Sequence, residues 1–313
     1  MKLHATVLAA LCLSLPALTL FSDGTPPAAT RAAPAAPPQD TQPFEPGCAL
    51  PFAAIGRKQT IDGQCPKGGH SALINGSQPH VLQNLAKNNF CVTGAPAAVS
   101  YNAFVALQTA VNNMSGLVWG SGEKLPPDRS VLQNLEIKDG SRALTVGEGS
   151  KVTFVGYVMA YEFADTHGGE DVNCNLSGDE NNDIHLTLRT TPGLILKRPV
   201  GPDGKPTLPD PRCNSVSAEV SPHFRPAAWD KLASPTSNAV FTKYPLRITG
   251  ALTFDAEHKP CDGGKPATGS PVRISVWEIH PVYAVDVCKF TTPARCNATT
   301  ESAWVPFEKY RPK

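Results

Sequence analysis

DIHLTLRT, residues 183 to 190, puts Ile184, Leu186 and Leu188 on one side of an extended chain and Asp183, His185, Thr187 and Arg189 on the other. That strict alternation is the period of a β-strand with one face in a core. Upstream, KVTFVGYVMAYEFA (151 to 164) is rich in Val, Tyr and Phe and predicts a long strand with a bulge or bend at Gly156. Downstream, SVSAEVS (215 to 221) sets Val216, Ala218 and Val220 against Ser217, Glu219 and Ser221. A helix of about ten residues fits Phe224 to Ala233, with Pro226 in its first turn. Strand patterning returns over Leu246 to Phe254 and Val272 to Val287.

Three strands, a helix and two strands is the order of the OB-fold, a five-stranded, partly open barrel. A sandwich built from the same strands is the structural alternative. The fold class expected is mainly β with short helices (α+β). An OB-like barrel spans 145–290, a small helical and loop-rich subdomain 53–144, and a C-terminal tail 291–313. Within the subdomain, His80 to Phe90 and Tyr101 to Val111 predict short helices, the second capped by Ser100.

The N-terminus addresses the compartment. Lys2, the apolar run Ala5 to Leu20 and the small or polar Ser22 to Thr25 read as a signal peptide over 1–22, followed by a Pro/Ala-rich tether over 23–52. Pro16 and the short run argue against a retained anchor, so a secreted or periplasmic protein without stable membrane insertion is expected. Discounting Cys12, eight cysteines remain, an even number suited to four disulfides. Chain proximity favours Cys65 with Cys91, Cys174 with Cys213, and Cys288 with Cys296, leaving Cys48 and Cys261. No CxxC occurs, so a thioredoxin-like or zinc-ribbon centre lacks support. In the 313-residue chain, 28 Lys plus Arg face 27 Asp plus Glu, which excludes the overall basic character that drives nonspecific nucleic-acid binding.

The segments IDGQC (61 to 65), KNNFC (87 to 91), GGEDVNC (168 to 174), NNDIH (181 to 185), AEVSPHFRP (218 to 226), TGALTFDAEH (249 to 258) and WEIHPVYAVDVC (277 to 288) resemble those of a group of exported bacterial proteins of unassigned activity. The C-terminal part of that group is similar to OB-like nucleic-acid-binding modules. The resemblance implies a fold and a compartment, and carries no catalytic residue.

OB-like barrels take ligands on strands 2 and 3 and the loops 1 to 2 and 4 to 5, here about 165–182 and 255–270. No lysine or arginine occurs from Phe163 to Leu188, so the first loop repels a phosphate backbone unless a divalent cation intervenes. Asp171, Asn173 and Asp179 lie at the alternate spacing that opens a calcium loop, although Leu176 replaces the turn glycine and Asn182 the closing glutamate. A second set draws His185, Glu278 and His280 together as ligands of a zinc-like cation, with Glu219 as general base. The cofactor these sets point to is a divalent cation, calcium or zinc. Structural histidines hydrogen-bonded to carboxylates account for the same residues without a reaction.

The leading expectation is a disulfide-stabilised binding module for an oligomeric ligand: nucleic acid, glycan or an extracytoplasmic protein. Its contact residues would be His185, Arg189, Glu219, Arg273, Asp171 and His258. A metal-assisted hydrolase, nucleases included, is the alternative, and a structural envelope protein without ligand the third. GxSxG, HExxH, Walker and dinucleotide motifs are absent.

Overall fold

The computed structural model describes residues 41–52 and 59–311; the expected signal peptide and the tether up to residue 40 lie outside them. Four strands fall almost where their periodicity puts them: β4 (Lys151–Phe163), β5 (Ile184–Arg189), β6 (Val216–Val220) and β7 (Leu246–Phe254). β8 (Trp277–Cys288) begins five residues later than expected. The backbone of 272–276 is engaged elsewhere, with the Val276 amide donating to Gln108 Oε1 and the Ile274 amide to Ser215 O, both at 2.9 Å.

These strands close in the order β4-β5-β6-β8-β7-β4. β6 and β8 run parallel and the other barrel pairs antiparallel. Closure rules out the sandwich and makes the barrel OB-like. β4 serves both sides of the seam, its residues 151–156 pairing with β7 and 157–163 with β5. Gly156 stands at the handover, where a Cβ would come within 2.8 Å of Arg189 O. The bulge expected there falls instead between Val158 and Ala160.

The predicted helix between β6 and β7 is a 3-10 segment, Ala227–Ala233, followed by the short α4 (Asn238–Phe241). Phe224 has φ of +54°, so no helix can start there, and Pro226 acts as N-cap with an extended ψ. Trp229 and Leu232 of this segment enter the barrel core.

The N-terminal part is not a separate subdomain. α1 (Gly69–Leu73), α2 (Gln78–Lys87) and α3 (Tyr101–Asn112) are joined by β1 (Ala97–Val99), which pairs with β4, and by the hairpin of β2 (Leu135–Asp139) and β3 (Arg142–Val146). The hairpin replaces part of the stretch expected to be loop-rich. Ser100 caps α3 as expected, accepting from the Asn102 amide. Phe104, Leu107 and Val111 of α3 belong to the barrel's own core. In the tail, β9 (Trp304–Pro306) pairs with β8. Among the described residues no helix is long and apolar enough to cross a membrane.

Eight cysteines form four disulfides, but only Cys288–Cys296 matches chain proximity. The others are Cys48–Cys91, Cys65–Cys174 and Cys213–Cys261, which corrects the expected Cys65–Cys91 and Cys174–Cys213. Barrel closure brings the loops after β4 and β7 against chain far away in sequence, and spatial neighbours then decide the pairing.

The tether likewise ends before residue 52. Phe44 is fully buried against Phe90, Phe224 and Tyr283 and stacks on the His223 imidazole, ring centroids 4.2 Å apart. His223 Nδ1 is 2.7 Å from Asp62 Oδ1. Burial lowers the His223 imidazole below its usual range, and Asp62 offsets this only in part. Below the unfolded value of about 6.5 the unfolded chain therefore holds more protons at this position, and stability falls with acidification. Urea midpoints measured from pH 7 to 5 should decline less in His223→Gln than in the native chain; equal slopes would refute the assignment.

Candidate functional site

Strand register assembles the site. His185 on β5 lies opposite Glu219 on β6 and Glu162 on β4. Ser217 pairs in parallel with Glu278 of β8, which brings Glu219 beside His280. Glu278 and His280, two residues apart, share a face, and His280 Nδ1 is 3.3 Å from Glu278 Oε1. At this level β7 approaches closely, since a Cβ on Gly250 would lie 2.5 Å from Pro281 O.

The result is a cluster of charge under the barrel mouth. His185 Nε2 lies 3.5 Å from Glu219 Oε1 and 3.6 Å from Glu170 Oε1. His280 Nδ1 is 2.9 Å from Glu219 Oε2, and its Nε2 is 3.5 Å from Asp183 Oδ2. Arg273, fully buried, donates to Glu278 Oε2 at 2.6 Å and to Asp255 Oδ2. Lys87 of α2 reaches Glu278 Oε1 at 3.5 Å and Glu219 Oε2 at 3.7 Å. Asp255 also holds His258 Nδ1 at 2.6 Å.

Above the cluster opens a cavity of about 910 Å³ between α2, the 165–182 loop and the 255–270 loop. Glu170, His185, Glu219, His258 and Lys87 all line it. A second cavity of about 270 Å³ continues over β5 and β6 along Tyr161, Thr187 and Ser217. His185, Glu162, Ser270 and Pro271 line both, so the two form one groove across the expected ligand face.

Burial works against every charge here, and the neighbours decide the outcome. Desolvation lowers the His185 imidazole, but Glu219, Glu170 and Asp183 overcome it and raise it to about 10. His280 is raised to about 10 by Asp183, Glu219 and Glu278 against the same desolvation. Asp183 is pushed up to about 7 by burial and by Glu170. Glu219 sits well below the usual carboxylate range despite burial, because His185, Lys87 and His280 surround it. The pocket thus holds acids and bases whose affinities for protons are far apart, the condition for acid–base chemistry.

Not every expected site residue is here. Arg189 turns away and donates to the carbonyls of Pro192 and Gly193, both at 2.8 Å, because its own loop offers nearer acceptors than the groove. Arg273 is a buried internal partner and not a ligand contact. Glu278 is likewise fully buried, does not line the cavity, and is already engaged by Arg273 and Lys87. The calcium-type set does not assemble. Asp171 accepts from Ser71 and Asn84, buried Asn173 donates to Glu170 and Asp183, and Asp179 is exposed. A 3-10 turn over Asp171–Asn173 replaces the cation loop.

Sequence reasoning missed Lys87, Glu170, Asp183 and Asp255. Asp183 was visible on the polar face of β5's segment beside His185; Lys87, on a helix far upstream, carried no local signal.

Fold and site together define a disulfide-stapled OB-like barrel with a polar, titratable pocket at its mouth. No family model, curated protein or solved structure matches the chain.

Proposed function

We propose that this chain is an exported hydrolase that receives an oligomeric ligand along the groove and acts on it in the pocket. The observation that carries the reading is the convergence of His185, His280, Glu219 and Asp183, with Asp183 Oδ2 and both Nε2 atoms buried and without a hydrogen-bond partner. Unsatisfied buried polar groups are costly, and a fold retains them where chemistry uses them. The N-terminal signal pattern and the four disulfides support export. Around the cavity stand Glu162, Asp165, Glu170, Asp171 and Glu257 against the single Lys87, which favours a glycan or a protein segment over nucleic acid.

The test is incubation of the full chain with a bacterial cell-wall glycan, an unfolded protein and single-stranded DNA, with products read by mass spectrometry. Cleavage of the first or second, lost in Glu219→Gln and His185→Gln, is the expected result. Binding without cleavage would turn the reading to a binding module, which the groove's continuation over β5 and β6 supports.

A further inference from the structure

We infer that Asp183, Glu219 and His280, with Glu170 and His185 on the pocket side, form a centre for a divalent cation of the zinc class in which Asp183 is the shared ligand. This rests on the reading of the pocket as the working site and names what it holds. Two triads carry it, Glu170–Asp183–His185 and Asp183–Glu219–His280, in each of which the ligand atoms lie within 4.8 Å of one another.

His280 Nδ1 meets Glu219 Oε2 at hydrogen-bond distance, 2.9 Å, but three other spacings fit a cation better than a hydrogen bond. His185 Nε2 to Glu219 Oε1 (3.5 Å), His185 Nε2 to Glu170 Oε1 (3.6 Å) and His280 Nε2 to Asp183 Oδ2 (3.5 Å) are long for an N–H···O bond. Two ligands of a tetrahedral zinc ion, each about 2.0–2.2 Å from it, stand about 3.4 Å apart. Asp183 and His280 are fully buried and Glu219 is 2% exposed.

The surroundings have the form of a support for a metal. Asn173 Nδ2 donates to Glu170 Oε2 at 2.6 Å and to Asp183 Oδ1 at 3.2 Å, which leaves Glu170 Oε1 and Asp183 Oδ2 free to face the histidines. Glu219 Oε2 at 2.9 Å and Glu278 Oε1 at 3.3 Å both sit against His280 Nδ1, and Glu278 is itself held by Arg273, so the two carboxylates turn Nε2 toward Asp183. A carboxylate on the far nitrogen of a ligating histidine is the usual support of such sites. Glu278 thereby changes role from expected ligand to positioning residue. Five carboxylates, Glu170, Asp183, Glu219, Asp255 and Glu278, gather around the fixed cations Lys87 and Arg273 with His185 and His280 between them. Two imidazoles among the donors favour zinc over calcium, which takes oxygen alone. Glu170, His185 and Glu219 open on the cavity and give an ion its path in.

Chelator-treated, disulfide-intact full chain titrated with Zn²⁺ alone in a calorimeter should saturate at one ion or more per chain. Asp183→Asn and His280→Gln should weaken binding by at least tenfold, and Asn173→Ala by about 10–100-fold through lost orientation. Circular dichroism verifies folding; should the buried variants not fold, His185→Gln at the pocket floor makes the same comparison. Absence of binding, or affinity unchanged in folded variants, would overturn the centre. Zinc binding without cleavage of any polymer would leave the centre standing and remove the hydrolase; cleavage indifferent to zinc would do the reverse.

Discussion

Replacing Arg273 with methionine is expected to destabilise the protein by about 3–5 kcal/mol, seen as a lower guanidinium midpoint at unchanged slope. The guanidinium is fully buried and is the direct partner of both Glu278 and Asp255. Methionine fills much of the volume but leaves two carboxylates inside the barrel, with Lys87 the nearest other fixed positive charge on Glu278. Removing one member of a buried ionic set costs more than the set itself contributes, because the remaining charge is stranded in a medium of low polarity. A loss under about 1 kcal/mol would show that the carboxylates take up protons or water instead, and that Arg273 is not the hub of the cluster.

Removing the Cys65–Cys174 bridge by a double change to alanine should cost about 2–5 kcal/mol. This bridge spans 109 residues, far more than the 8 of Cys288–Cys296, and so restricts the unfolded chain more. It also has a local effect. Cys174 directly follows Asn173, which holds Glu170 and Asp183, so the 165–182 loop should lose amide-exchange protection while β5 and β6 keep theirs until global unfolding. Equal protection in that loop with and without the bridge would mean that Asn173 and the Ser71 and Asn84 contacts to Asp171 suffice to hold it.

Much of this was readable before any coordinates. Ile184, Leu186 and Leu188 alternate with His185 and Thr187 because a strand between a core and a groove selects residues two by two, and such a signal is complete within eight residues. The same alternation marked His185 and Glu219 as groove-facing, and the WEIHP segment marked Glu278 and His280. Lys87 escaped because a lysine near the end of an amphipathic helix ordinarily faces water, and only the docking of α2 over the barrel mouth turns it inward. Phe44 escaped because an aromatic eight residues from the next, Phe52, in a proline-rich run has no period to betray its burial.

Local periodicity therefore determined where the five barrel strands lie along the chain and the polar positions on them, since side-chain alternation depends on neighbours in the chain alone. Closure of β7 on β4, the partners of Cys48, Cys65 and Cys213, and the joining of Asp183 to His280 were decided by the folded barrel. Each of these contacts joins segments remote in sequence, and only when the sheet curls shut are their side chains set a few ångströms apart.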